Sequence, residues 1–286
     1  MSLIYKLDNL VEGEILKRPS KYIKSPYVAD ISLNDTSILG HTASLGCCGL
    51  ADVGAHILMS QIPKSKKVTD KLSCEYRVFL SIVREKGREI IVGINPLLAE
   101  TLVENALNKN LLKALPNVGF YHKQTKMCIT GEDGTEVVNS RFDFTGFDEN
   151  GVKFIMEVKN VPLADYEDVT AKERKKMNFD DRDVCSKVAY FPDGYRKKRD
   201  DPVSPRALKH INELTYIKRN FETRCIMCYV IQRTDVDRFQ PSVIDQIYRE
   251  AFREAVSAGV EVITMVVEWN REGDAYFIKD DLPISI

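Results

Sequence analysis

A chain of 286 residues with 41 Lys and Arg against 42 Asp and Glu has a formal net charge of −1 and a pI near 6.5. That length can bury one substantial core or two modest ones, and the charge balance excludes a globally basic nucleic-acid binder, so contact with a polynucleotide falls to local patches. No apolar run reaches the roughly 18 residues of a membrane span. The seven cysteines lack regular spacing and no signal-peptide pattern precedes them, which together point to reduced thiols in the cytoplasm.

In chain order, the segment to about Ser73 has short apolar runs broken by turn residues, among them Gly13, Pro19, Pro26, Gly40 and Gly54, as in a small β-barrel. Lys17, Arg18, Lys21 and Lys24 alternate with Tyr22 and Tyr27, a composition that grips a single-stranded backbone and stacks a base, although a solvated barrel edge uses the same residues. His41, Cys47, Cys48 and His56 invite a zinc reading, but adjacent cysteines chelate one tetrahedral ion poorly. Cys225 and Cys228 have the right separation, but in a strand residues three apart face opposite ways. From Tyr76 to Ile94, two strand-like runs flank Glu85-Lys86-Gly87. Asn95 and Pro96 then open a helix with Leu97, Leu98, Leu102, Ala106 and Leu112 at helical spacing. Glu100 and Glu104 read as its solvated face, and Glu136 is a further candidate acid.

The stretch Ser140 to Val161, SRFDFTGFDENGVKFIMEVKNV, reads as two strands joined at Asp148-Glu149-Asn150-Gly151. Side-chain alternation places Phe142 and Phe144 on one face and Arg141, Asp143 and Thr145 on the other. On the return strand Phe154, Met156 and Val158 oppose Ile155, Glu157 and Lys159. Folding about the turn makes Asp143 and Glu157 cross-strand neighbours, with Lys159 pointing the same way. Two carboxylates so placed repel, and a divalent cation resolves the conflict while a lysine steadies a phosphate. In a chain this rich in charge, Glu-x-Lys also occurs on solvated strand faces.

Residues 165 to 187 are dense in charge and poor in large apolar groups, the pattern of a linker with little core. Arg196, Lys197, Lys198 and Arg199 form a basic run suited to phosphate, or to a solvated loop. Ser204 and Pro205 cap and open a helix with Leu208, Ile211 and Leu214 inward and Lys209 and Glu213 four apart. A strand from Cys225 ends at Gln232 and Arg233, polar groups where active sites collect. A helix from Ser242 or Asp245 ends at Gly259, and Glu261 to Val267 returns as a strand. Strand, helix and strand in this order predict a parallel pair within a mixed sheet.

SRFDF, MEVKNV, YFPD from Tyr190, LKHINEL from Leu208, VIQRTDVDRFQPS and GVEVITM occur in that order, and in this the chain resembles the sugar fermentation stimulation protein A family. LKRPSKYI and GHTASLG extend the likeness toward the N-terminus. The resemblance implies an α/β (α+β) fold: an OB-like small barrel over residues 1–73 that binds nucleic acid, then a nuclease domain of the PD-(D/E)xK type over 74–286, a mixed sheet flanked by helices. It implies metal-dependent cleavage of DNA or RNA, with Asp143 and Glu157 holding Mg²⁺ or Mn²⁺, Lys159 as catalytic lysine, and Lys209 and Glu213 as further site residues. The nucleic-acid contacts expected are Lys17, Arg18, Lys21, Tyr22, His41, Arg141, Gln232, Arg233 and the run 196–199. The chain departs from the family in four places. After His41 it lacks the usual Asn and Arg, residues 165–187 stand where a short loop is usual, FPDA reads FPDG, and the run 195–199 that follows is a further expansion. The competing reading is a catalytically silent DNA-binding regulator of the same fold, and either is compatible with a homodimer.

Overall fold

The computed structural model describes residues 1–42, 49–63, 73–131, 133–192 and 201–286. Cys47, Cys48 and the basic run 196–199 lie outside them. The first half of the chain comprises β1 (Ser2–Lys6), β2 (Val11–Lys17), β3 (Val28–Leu33), β4 (Thr36–Thr42), β5 (His56–Gln61), β6 (Tyr76–Glu85), β7 (Arg88–Gly93), α1 (Leu97–Asn108), β8 (Phe120–Thr130) and β9 (Glu136–Phe147). There follow β10 (Lys153–Val161), β11 (Ala164–Asp165), α2 (Ala171–Arg174), β12 (Lys187–Phe191), α3 (Pro205–Asn220), β13 (Arg224–Ile231), β14 (Val236–Pro241), α4 (Gln246–Ser257), β15 (Glu261–Trp269) and β16 (Asp274–Lys279). The architecture is mixed α+β and mostly sheet. Among the described residues no helix is long and apolar enough to cross a membrane.

One large sheet runs β4-β3-β2-β5-β6-β7-β15-β13-β10-β9-β8, with β16 on β15, β1 on β16, and β4 also paired to β6. A smaller sheet runs β11-β12-β14. At the centre, β13 is parallel to both β10 and β15, as strand, helix, strand order requires. Such strands are covered on both faces and so read as continuous apolar runs. In β13 the residues Ile226, Cys228 and Val230 enter a core shared with α1. Cys225, Met227, Tyr229 and Ile231 enter the core under α3 and α4. Cys225 and Cys228 therefore do face opposite ways. A third core gathers Ile15, Ile31, Ile57 and Val78 from β2, β3, β5 and β6. A Cβ at Gly40 on β4 would stand 2.1 Å from Ile31 Cδ1, so any larger residue there forces that buried side chain to move.

Helix ends follow local chemistry. Asn95 Oδ1 accepts from the Leu97 amide at 3.1 Å, Ser204 Oγ from Ala207 at 3.4 Å and Asp245 Oδ1 from Tyr248 at 3.1 Å, each satisfying an orphan first-turn donor. Leu98, Leu102 and Ala106 are buried, whereas Leu97 is 66% exposed and Leu112 is buried beyond the helix end.

Two expectations need correction. Residues 165–187 are not a coreless linker: Tyr166 and Val184 are buried, and the segment carries β11 and α2 before rejoining the small sheet at β12. Its polar groups are tied down at long range, since Lys187 Nζ donates to Glu85 at 2.5 Å and to Asp235 at 2.7 Å. In the large sheet, the neighbours of the segment over residues 1–73 include β6, which pairs with β5, and β16, which pairs with β1. Finally, Phe142 and Phe144 do not share a face, because Phe142 packs in the α3/α4 core and Phe144 in the α1 core.

Candidate functional site

The crossover between Phe142 and Phe144 is where the site opens. β9 and β10 pair from Phe147↔Lys153 to Phe144↔Met156, and continuing that register sets Asp143 level with Glu157. The ladder stops there. The Val158 amide instead donates to Asp143 Oδ2 at 2.7 Å, so a carboxylate stands where a backbone carbonyl would. On the other side, β8 pairs Lys123 with Phe144 and Thr125 with Phe142. The residue between, Gln124, has φ +53°, an uncommon left-handed backbone for a side chain of this size. Gln124 Nε2 donates to Asp143 Oδ1 at 3.0 Å and to Glu100 Oε2 at 2.7 Å.

Asp143, Glu157 and Lys159 line one cavity of about 420 Å³ together with Glu100. Burial, then the charge of Glu157, pushes the Asp143 carboxyl up to about 7. Burial also pushes Glu157 upward, but the adjoining Lys159 ammonium and the His210 hydrogen bond outweigh it and hold Glu157 below the ordinary carboxylate range. Glu157 Oε1 is gripped closely by Lys159 Nζ and by His210 Nδ1, and His210 is buried against Phe142. Glu157 Oε2 is buried with no partner. A buried carboxylate oxygen without a donor is costly unless something positive meets it.

The other predicted residues are elsewhere. Lys209 Nζ donates to the Asn139 carbonyl at 2.6 Å and Glu213 Oε1 accepts from the Asn139 amide at 2.9 Å, so this pair clamps the start of β9 and does not line the cavity. Between them on the helix, His210 reaches the site. Sequence reasoning misses it, although its position between Ala207 and Leu214 on the inward stripe is a signal. Glu100, expected on a solvated face, enters the cavity, whereas Glu104 pairs with Lys123 at 2.6 Å. Glu136 is exposed and held by Cys128 and Asn139. Arg141 is exposed on β9.

Gln232 and Arg233 are not outward-facing contacts. Gln232 is buried, donating to Asn160 at 2.6 Å and accepting from Trp269 at 2.8 Å. Arg233 is buried with two bonds to Asp235 at 2.6 Å and one to the Pro162 carbonyl at 2.9 Å. On the β2 side, Lys17 is exposed and Arg18 donates to the carbonyls of Pro26 at 2.8 Å and Ala51 at 3.3 Å. Lys21 Nζ sits 4.7 Å over the exposed Tyr22 ring. His41 stacks on Tyr27 with 6.3 Å between ring centroids.

Over residues 97–273 the chain matches the family model described as the sugar fermentation stimulation protein RE domain. The chain belongs to the sugar fermentation stimulation protein family. A homolog from Jannaschia sp. (strain CCS1) is 30% identical, the match covering 92% of this chain and 90% of that one. Another, from Prochlorococcus marinus (strain MIT 9515), is 28% identical over 94% of this chain and 93% of the relative. Among solved structures, Pyrococcus furiosus SfsA, determined in complex with Ca²⁺, superposes with a TM-score of 0.71 at 18% identity over the whole of both chains. That likeness establishes the fold. In this member of the sugar fermentation stimulation family, the RE-domain match spans α1, the β8–β10 meander, α3 and β13, the elements that converge on Asp143 and Glu157.

Proposed function

We propose that this chain is a metal-dependent nuclease that hydrolyses phosphodiester bonds in DNA or RNA, with Asp143 and Glu157 as ligands of Mg²⁺ or Mn²⁺. The observation carrying this reading is the orphaned, buried Glu157 Oε2 in a cavity shared with a second carboxylate whose proton affinity that same glutamate raises. This donor set fits a hard divalent cation. Among the described residues no group of three His, Cys, Asp or Glu is arranged to hold a metal, so the remaining positions fall to water and substrate phosphate, as is usual for Mg²⁺. P. furiosus SfsA was solved in complex with Ca²⁺, which supports use of a divalent cation here.

When bound, the metal supplies a nucleophilic water at neutral pH and draws charge from the attacked phosphate. The protein does the rest. His210 and Lys159 fix Glu157 through Oε1 and leave Oε2 for the ion. Gln124 and the Val158 amide fix both oxygens of Asp143. Lys159, only 12% exposed, places its ammonium where a phosphate oxygen gathers charge. The succession β8-β9-β10-α3-β13 around these groups supports the PD-(D/E)xK assignment. The succession β4-β3-β2-β5-β6, with β4 also joined to β6, supports an OB-like unit, and Lys17, Lys21, Tyr22 and the Tyr27–His41 stack are its candidate contacts with a strand.

The test is cleavage of single- and double-stranded DNA and of RNA with Mg²⁺, with Mn²⁺ and with EDTA. Metal-dependent cutting that disappears in Asp143→Asn and Glu157→Gln is expected. Variants that cut as fast as the parent move the site elsewhere, and a parent that binds but never cuts leaves the silent-regulator reading in place.

A further inference from the structure

A second cavity, of about 640 Å³, adjoins the first. Leu163 and Tyr190 line both, so the chain that lines the metal-site cavity at Lys159 and Asn160 runs past the end of β10 to line this basin at Leu163. Its far side is built from the segment whose charge density predicts a linker, through Tyr166, Val169, Thr170 and Arg174.

The charges of the basin are balanced. Its charged lining residues among those described are Glu85, Asp165, Arg174, Lys187 and Arg233, and each has an opposite partner. Arg174 meets Asp165 at 2.5 Å, Lys187 meets Glu85 at 2.5 Å, and Arg233 meets the buried Asp235 at 2.6 Å. The Tyr166 hydroxyl also donates to Glu85, at 2.9 Å. A phosphate entering here meets the carboxylates of Glu85 and Asp165 along with the cations that they neutralise, so it gains no net attraction. A neutral planar group with its own donors and acceptors can bond to the outer edges of those pairs without displacing them, and can lie against Tyr190, Leu163 and Val169. The volume falls within the ~300–1,000 Å³ of small-ligand sites.

The geometry points to a nucleobase subsite: the basin receives the base of a nucleotide next to the phosphate held at Asp143 and Glu157, the strand passing over Leu163 and Tyr190. This rests on the reading that a polynucleotide occupies the first cavity. The basin sorts by chemistry, since the phosphate stays with the unpaired carboxylate oxygen and its metal while the uncharged base goes where every charge is already matched.

Val169→Trp and Thr170→Trp, each filling the basin from its rim, test the assignment. Two labelled single strands of equal length and charge serve as probes, an oligothymidylate and its fully abasic counterpart, titrated by fluorescence anisotropy with Ca²⁺ present, the cation with which P. furiosus SfsA was solved, the strands being checked for cutting on a denaturing gel. Both variants are expected to lose about 5-fold or more in affinity for the oligothymidylate, the contribution of one stacked base, and nothing for the abasic strand, which also shows that they are folded. Parent-like affinity for both strands, or equal losses on both, overturns the subsite. Cutting of the same oligothymidylate by the parent with Mn²⁺ is scored separately. If it is absent while the base-dependent loss persists, the nuclease reading fails and the subsite stands.

Discussion

Gln124 holds Asp143 from a strained position: its amide reaches Asp143 Oδ1 at 3.0 Å and Glu100 Oε2 at 2.7 Å while its own backbone sits at φ +53° in the middle of β8. Strain of this kind costs about 1–3 kcal/mol and persists only where the surroundings impose it. The β8–β9 register runs unbroken past it, Lys123 with Phe144 and Thr125 with Phe142, so the left-handed residue stands opposite Asp143, where Phe142 and Phe144 part into separate cores. The same residue thus marks where the strand changes face and holds the carboxylate.

Two variants separate these roles. Gln124→Ala removes the bridge and keeps the strain, whereas Gln124→Gly removes both. Cleavage in each is expected to fall about 10- to 100-fold, the usual cost of losing a group that orients a metal ligand. The glycine variant is expected to be the more stable of the two by about 1 kcal/mol in urea unfolding, since glycine adopts positive φ freely. Parent-like cleavage in both would show that Asp143 needs no such support.

The carboxyl of Asp143, raised to about 7 by burial and by Glu157, makes stability depend on pH in a defined direction. The folded state holds this proton more tightly than the unfolded chain, so this group's contribution is full below the unfolded value near 4 and is lost as pH rises through about 7. In metal-free buffer, Asp143→Asn should melt close to the parent at acid pH and above it at pH 8, by about 2 °C or more. Adding Mg²⁺ should narrow the gap by stabilising the parent alone. A gap of the same size at both pH values would mean that Asp143 titrates normally.

Much of this arrangement is legible in the sequence because it is periodic. The β9–β10 hairpin turns where Asp148 to Gly151 predict, and the α3 and α4 caps fall on Ser204 and Asp245. The level placement of Asp143 and Glu157 follows from counting back from that turn. What is hidden depends on contacts that leave no local trace. A single left-handed residue at Gln124 does not alter the apolar pattern of β8, so nothing warns that Phe142 and Phe144 part company. Glu100 looks solvated because helical spacing gives a face but not the neighbour across it. The 165–187 segment looks coreless because what orders it is distant in sequence: Lys187 with Glu85, and Lys86 with the carbonyls of Phe179, Asp180 and Arg182.

That last contact gives a prediction about order. Lys86 Nζ donates to the Phe179, Asp180 and Arg182 carbonyls at 2.7, 2.8 and 2.5 Å, pinning the segment to the turn between β6 and β7. Lys86→Met leaves three acceptors without their donor, so local opening becomes easier while the main cores are untouched. Trypsin should cut faster between Lys172 and Arg182 in the variant, with little change in global unfolding. An unchanged digestion rate would place the ordering of the segment in Tyr166 and Lys187 instead.

Lys159 can be told apart from the carboxylates by measuring metal affinity and rate separately. Its ammonium grips Glu157 Oε1 and thus stands beside the ion that Glu157 is proposed to bind. A positive charge there opposes the metal, so Lys159→Met should bind Mn²⁺ as tightly as the parent or more tightly by isothermal titration at pH 8. Cleavage at saturating Mn²⁺ should nevertheless fall by about 10²–10³, because what is lost is a charge held ready for the transition state and not the ion. Glu157→Gln should show the other pattern, with affinity and rate falling together. If Lys159→Met lost metal affinity and regained full rate at high Mn²⁺, the lysine would be no more than a prop for Glu157, and the charge on the attacked phosphate would have to be met by another group.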